Sequence, residues 1–232
     1  MRLILKFKPL MEFDYYAISK YDIQGFIYSL LKDTSLDYWH QNHGFKFFNY
    51  SNIFPITDFK SNETKMLIIS SPSKVLIKTL ANQLKNQNTI RLNNYTLKLI
   101  QVKSINMNVK SNIITGTPIV LFENNQSNKY FSFKNNDLDF FFKRLKDNAI
   151  KKYNSYYHED IQLDENIVDT FKFKKEVSIR MKINYKSFIV IGSLWEFKKD
   201  ILKSNKKFYN FLFDCGYGEK NSLGMGFINN QR

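Results

Sequence analysis

Leu3-Ile-Leu-Lys-Phe-Lys8 opens the chain with an apolar run broken by two lysines, which predicts a strand. Tyr21 to Asp33 follows with Ile23, Phe26, Ile27, Leu30 and Leu31 on one stripe of 3.6-residue spacing, which predicts a helix. Phe45 to Phe54 and Lys65 to Ser70 read as a pair of strands. Ser71-Pro72-Ser73 then opens a helix through Lys85, and Tyr95 to Ile105 returns as a strand. The order is βαββαβ.

Thr115-Gly-Thr-Pro118 is a turn signal ahead of a fresh apolar run, Ile119-Val-Leu-Phe122, and places a domain boundary near residue 116. Strand material at 119–133, a helix over 137–157, strands near 171–183 and 185–195, a helix over 197–213 and a last strand at Phe227-Ile228 repeat the same order. Two successive βαββαβ units predict an α+β chain of two tandem ferredoxin-like domains, 1–116 and 117–232. Each would be an antiparallel four-stranded sheet with two helices on one face.

Within the second domain, Phe171, Phe173, Val177, Ile179, Met181 and Ile183 fall on one alternate set, and Lys172, Lys174, Arg180 and Lys182 on the other. That spacing predicts an amphipathic strand or hairpin with one basic face, either a solvated sheet face or a surface that tracks a nucleic-acid backbone.

Charge sharpens this choice. The chain carries +14 at neutral pH, spread over both halves, with 15 basic and 7 acidic groups in residues 1–116 and 20 and 14 in residues 117–232. A basic excess on both halves of a folded chain favours a polyanionic partner through phosphate neutralisation and counterion release. Lys, Asn, Ile and Phe are also what A+T-rich codons encode, so the charge supports such a partner without establishing it. The 22 Phe and 14 Tyr supply both cores and surfaces on which bases can stack. A single cysteine, Cys215, excludes an internal disulfide and any cysteine-based zinc site, and no segment approaches the ~18 continuous apolar residues of a membrane span. The expectation is a cytoplasmic protein with no metal, cofactor or membrane association.

Four of the eight glycines fall within Gly216-Tyr-Gly-Glu-Lys-Asn-Ser-Leu-Gly-Met-Gly226. Glycine serves where the backbone needs positive φ or close approach, so a glycine pair on each side of a polar insert predicts a loop of exposed N–H groups suited to an anion, with Lys220 adding charge. The spacing matches neither a nucleotide-triphosphate loop nor a G-x-G-x-x-G turn, since Asn221 stands where the third glycine would be. A purely architectural turn is the other reading.

Two histidines, His40 and His43, lie between the first helix and the next strand, and Tyr28 lies off the centre of that helix's apolar stripe. A zinc reading of the histidine pair lacks further ligands. Cleavage of RNA without a metal needs a base for the ribose 2′-hydroxyl, an acid for the departing 5′-oxygen and a cation for the charge that builds on phosphorus, and histidine can be either proton carrier.

The glycine pattern at 216–226 resembles the signature of the CRISPR-associated repeat-RNA processing endoribonucleases, the Cas-six family of the RAMP superfamily. Gln24-Gly-Phe-Ile-Tyr28, Trp39-His40, Gly44-Phe-Lys46 and Phe47-Phe-Asn-Tyr-Ser51 resemble the N-terminal region of the same family. The resemblance implies a metal-independent endoribonuclease that cuts precursor CRISPR RNA within its repeats, leaving a 2′,3′-cyclic phosphate and a 5′-hydroxyl. By position the catalytic set falls on Tyr28, His40 and Lys46, with His43 as the substitute for His40. RNA is gripped by Gly216, Gly218, Lys220, Gly224 and Gly226 and by the basic strand residues Lys172, Lys174, Arg180 and Lys182. Partners implied are CRISPR repeat RNA, subunits of an effector complex and a second copy of the chain; a catalytically silent RNA-holding subunit is the alternative.

Overall fold

The computed structural model describes residues 1–39, 44–124, 129–134, 136–183 and 186–231, with backbone only at 182, 183 and 186. The chain separates into two compact units, Met1–Met107 with Ser222–Gly224, and Asn108–Asn221 with Met225–Arg232.

In the first unit, β1 (Arg2–Pro9) is followed by α1 (Lys20–Ser29), β2 (Asn49–Tyr50), β3 (Lys65–Ser70), α2 (Lys74–Leu84), β4 (Thr89–Leu92) and β5 (Tyr95–Ile105). The sheet order is β2-β3-β1-β5-β4, and every adjacent pair is antiparallel. Alternation on β1 sends Leu3, Leu5 and Phe7 into the core, where they meet the buried stripes Ile23, Phe26 and Ile27 of α1 and Leu76, Ile77, Leu80 and Leu84 of α2.

A capping box starts α1: Ser19 Oγ accepts from the Asp22 N–H, and an Asp22 carboxylate oxygen accepts from the Ser19 N–H at 2.7 Å. The helix stops at Ser29 instead of Asp33, because the Leu31 N–H tightens onto the Tyr28 carbonyl at 3.0 Å and Asp33 takes the left-handed conformation. The strand expected over 45–54 shrinks to Asn49–Tyr50 for a similar reason. Phe47 is left-handed, and its carbonyl is taken by the Ser71 hydroxyl at 2.6 Å. Strand β4, unforeseen, forms a hairpin with β5 across Asn93-Asn94, with Asn93 at φ 54 and Ile90 and Leu92 buried.

The second unit runs β6 (Asn112–Thr115), α3 (Leu138–Tyr157), β7 (Thr170–Ile183), β8 (Lys186–Lys198), α4 (Lys206–Cys215) and β9 (Ile228–Asn230), with antiparallel sheet order β7-β8-β6-β9. Both units therefore carry the ferredoxin-like connection, in which the first strand sits beside the third and the last. The division falls between Met107 and Asn108 because Asn112–Thr115 is the strand that pairs with β8 and β9. Residues 119–133, expected as strand, make only isolated bridges among the described residues. The helix expected from 197 begins at Lys206, since β8 runs on to Lys198 and Asn205 supplies the N-cap.

Trp195 anchors this unit. It is fully buried, stacks at 4.8 Å on Phe141 of α3, and is ringed by Phe133, Phe142, Phe171, Phe173 and Phe197. Its indole N–H donates to Ser193 Oγ at 2.7 Å, so the aromatic cluster leaves no unsatisfied donor there. Among the described residues no helix is long and apolar enough to cross a membrane.

Candidate functional site

The glycine segment leaves α4 at Gly216 and turns through a short 3-10 stretch at Asn221–Leu223 before β9. Gly216, Gly218, Gly224 and Gly226 all have positive φ, and Lys220 joins them at φ 56. Side chains are excluded as well as disfavoured. A Cβ at Gly218 would come within 2.5 Å of the Val120 carbonyl oxygen, and one at Gly226 would fall on the Tyr217 carbonyl.

The loop is not a ring of outward N–H groups. Gly216, Tyr217, Glu219, Met225 and Gly226 donate to the carbonyls of Leu212, Gly226, Val120, Lys220 and Pro118. At its centre lies a cation. The buried Lys152 ammonium of α3 donates to the carbonyls of Gly216 (2.6 Å) and Gly218 (2.9 Å) and to Asn221 Oδ1 (2.8 Å), and Asn221 Nδ2 in turn donates to the carbonyls of Tyr217 and Met225. Burial pushes the Lys152 ammonium below its ordinary pKa.

Residues Ser222–Gly224 belong to the first unit and are held there by α1. Gln24 Nε2 donates to the Ser222 carbonyl at 3.0 Å, and the Lys20 ammonium reaches Asn52 Oδ1 at 2.8 Å and the Gly224 carbonyl at 3.4 Å. Lys20 also lies 5.2 Å from the centroid of the buried Tyr50 ring, whose hydroxyl donates back to the Lys20 carbonyl at 2.6 Å. Desolvation lowers the Lys20 ammonium to about 7.

On the same unit, Tyr28 is half-buried with its ring edge-on to Phe48 at 5.7 Å, and burial raises its hydroxyl above the ordinary tyrosine value. The Lys46 ammonium donates to the Trp39 carbonyl at 2.8 Å, and burial lowers it. His40 and His43 lie outside the described residues.

The model of the family described as CRISPR associated protein Cas6, C-terminal, matches residues 100–230, more than half of the chain, from the middle of β5 to the end of β9. The chain belongs to the Cas6 family. Over 238 residues, covering 99% of both chains, it is 42% identical to CRISPR-associated endoribonuclease Cas6 2 of Methanocaldococcus jannaschii. It is 25% identical to CRISPR-associated endoribonuclease Cas6 1 of the same organism, over 99% of this chain and 94% of that one. Two solved structures share its fold: a CRISPR associated protein Cas6 (TM-score 0.74, 24% identity, 100% and 99% covered) and a RAMP protein described as binding different RNA substrates (TM-score 0.73, 18% identity, 100% of each chain covered). Cas6 proteins are endoribonucleases of CRISPR RNA processing.

The basic strand expected in this Cas6 chain needs one correction. A bulge at Lys174 shifts the β7–β8 register between Phe173↔Trp195 and Lys175↔Leu194. Beyond it the parity reverses, so Phe171 and Phe173 share a face with Glu176, Ser178 and Arg180, opposite Trp195, Ser193, Ile191 and Ile189. Lys172 lies on the other face with Val177, Ile179 and Met181. Lys172 and Arg180 therefore do not form one basic surface. Lys174 pairs with Glu196 at 2.6 Å, which holds that carboxyl below its usual range. The side chain of Lys182 lies outside the described residues.

Pattern reading missed Lys20, Gln24 and Lys152. Lys152 carried a signal: it falls on the buried α3 stripe Phe141, Leu145, Asn148, Ala149 and Tyr153, where a lysine needs partners. His158 caps α3 in the left-handed conformation, and its neighbour Glu159 pairs with Lys207.

Proposed function

We propose that this protein cuts precursor CRISPR RNA within each repeat, without a metal ion, by attack of the ribose 2′-hydroxyl on the adjacent phosphorus. His40 or Tyr28 takes the 2′-hydroxyl proton and the other returns a proton to the 5′-oxygen. Lys46 stabilises the charge on the phosphorane-like transition state. The P–O5′ bond breaks as the P–O2′ bond forms, leaving a 2′,3′-cyclic phosphate and a 5′-hydroxyl. His43 is the substitute for His40.

The observation that supports this reading most directly is the Lys46–Trp39 hydrogen bond, because Trp39 precedes His40 in the chain. A tether at that point keeps a cation near the backbone that leads into the histidine. Repeat RNA is held by the glycine segment with Lys220 and by basic residues of the β7–β8 hairpin, and the cut product stays bound or passes to an effector complex in the cytoplasm.

Incubation of the cognate repeat RNA with protein in EDTA, with analysis of product ends, tests the reaction. Cyclic phosphate ends with native protein and their loss in His40→Ala are expected. Products that need a divalent ion, or that carry 3′-hydroxyl ends, would overturn it. RNA retained without any product at any pH would mark the protein as a non-catalytic RNA-holding subunit.

A further inference from the structure

A groove of about 640 Å³ opens within the second unit, inside the ~300–1,000 Å³ range of ligand pockets. It is lined by Phe122, Tyr130 and Lys134 from one segment, Ile189 and Ile191 from β8, and Lys220 from the glycine loop. Phe122 and Tyr130 are bridged opposite each other and flanked by backbone bonds from Glu123 to Lys129 and from Phe131 to Leu121. Their rings stack at 4.8 Å with 20° between planes.

This platform is held from below. The Arg144 guanidinium donates to the Phe122 carbonyl at 3.2 Å and pairs with Glu219, whose second carboxylate oxygen accepts from the Phe122 N–H at 3.1 Å. The same pairing fixes the loop residue before Lys220. The Lys220 ammonium lies 5.2 Å from the Phe122 centroid and 5.8 Å from that of Tyr130. The left-handed backbone at Lys220, the bonded Glu219 and the ring pair thus form one preorganised unit.

Charge at the groove is complementary to phosphate. Glu219 is matched by Arg144, Glu123 by Lys129 at 3.0 Å, and Glu176 accepts from Ser132 and from the Phe133 N–H. Lys220 also faces Glu219, which it shares with Arg144 and Lys152, so the cations there exceed the acid, and Lys134 adds an exposed cation to the lining. Arg180 stands beside this lining, because the bulge at Lys174 turns it onto the face of Ile191 and pairs it directly with the lining residue Ile189, which is 55% exposed.

We propose that this groove is a nucleotide-binding subsite for one unpaired base of the RNA, the base seated against the Phe122–Tyr130 pair and the flanking phosphates on Lys220, Lys134 and Arg180. The inference rests on the RNA-binding reading above and adds to it a stacking position with little preference among bases, since every base offers a π-face.

The test uses the full chain and cognate repeat RNA carrying 2-aminopurine at each unpaired position in turn. Native protein is expected to quench one position by stacking, and Tyr130→Ala to abolish that quenching and weaken binding about 5- to 150-fold. Tyr130→Trp should restore both, while the single-turnover cleavage rate at saturating RNA stays at the native value for all three proteins. Circular dichroism checks that Tyr130→Ala is folded; if it is not, Lys134→Ala, an exposed position, must weaken binding without changing cleavage at saturation. Native binding with no quenched position, or variants that bind like native, would overturn the subsite and leave RNA binding standing. Failure of native protein to retain the RNA would overturn both.

Discussion

Gly224 packs against the Tyr50 ring so closely that a side chain there would collide with Cε2, Cδ2 and Cζ of that ring. Tyr50 cannot give way easily, because it is fully buried and its hydroxyl is bonded to the Lys20 carbonyl. Gly224→Ala must therefore bear ~1–2 kcal/mol for a left-handed alanine and ~1–3 kcal/mol for overpacking. Urea unfolding should show a loss of that order. Gly25→Ala is the control: nothing lies within 4 Å of a Cβ there, in an exposed helical position, and a gain of ~0.5–1 kcal/mol is expected. The clash with Tyr50 predicts non-additivity, so Gly224→Ala should cost less in a Tyr50→Leu background. Equal costs in both backgrounds would show that the ring is not what excludes the side chain.

Lys152 holds three acceptors of the glycine segment with one buried ammonium. Lys152→Met keeps most of the volume and strands those acceptors, each orphaned group costing ~1–3 kcal/mol unless water reaches it. The stability loss should be at least ~2 kcal/mol. Amide exchange in residues 216–221 should accelerate more than exchange in β1 or β3, since the bonds lost are confined to the loop. Uniform acceleration across both units would mean that Lys152 supports the whole fold and not the loop.

The pH dependence of Lys20 has a definite sign. Its folded-state value of about 7 lies below the ~10.4 of an unfolded lysine. Below pH 7 both states hold the proton, and the burial cost is present in full. Between ~7 and ~10.4 the unfolded chain binds more protons, so this residue's contribution to stability rises with pH. Denaturation midpoints of native protein and Lys20→Met at pH 6, 7, 8 and 9 should run parallel up to pH 7, then diverge in favour of native. Parallel profiles across the whole range would contradict the desolvated ammonium. Lys152 has the same sign, so a double variant should flatten the profile further.

Regular stripes made most of the fold legible. α3 was readable because Phe141, Leu145, Ala149 and Tyr153 repeat at helical spacing over several turns, and β5 because Tyr95, Leu97 and Leu99 alternate before the register shifts at Ile100. Departures came from single backbone events that composition does not encode: the left-handed Phe47 cut β2 short, and the bulge at Lys174 reversed the faces of β7. The glycine segment was visible as a place of positive φ, but its partners were not. Lys20 lies 204 positions from Gly224 and Lys152 lies 64 from Gly216, separations over which no local pattern reports. The proposed chemistry came only from the family motifs, since Tyr28 against Phe48 and Lys46 on the Trp39 carbonyl are contacts that ordinary boundary residues also make.

The reversal of faces on β7 makes a distinction among its basic residues. Arg180 lies on the side of the strand that carries Ile189 and Ile191, with the Phe122–Tyr130 groove, whereas Lys172 lies on the other side beside Glu196. Each phosphate neutralised on a single strand adds about 0.7 to the slope of log K against log salt. If RNA follows the groove face, Arg180→Ala should lower the slope by about that amount and weaken binding at low salt more than at high salt. Lys172→Ala should leave the slope unchanged, because its charge faces away from that path and toward a carboxylate. Filter binding of repeat RNA from 50 to 300 mM salt separates the two cases. Equal slope losses for both variants would place phosphates on both faces of β7, and a loss for Lys172→Ala alone would move the RNA path to the side away from the groove.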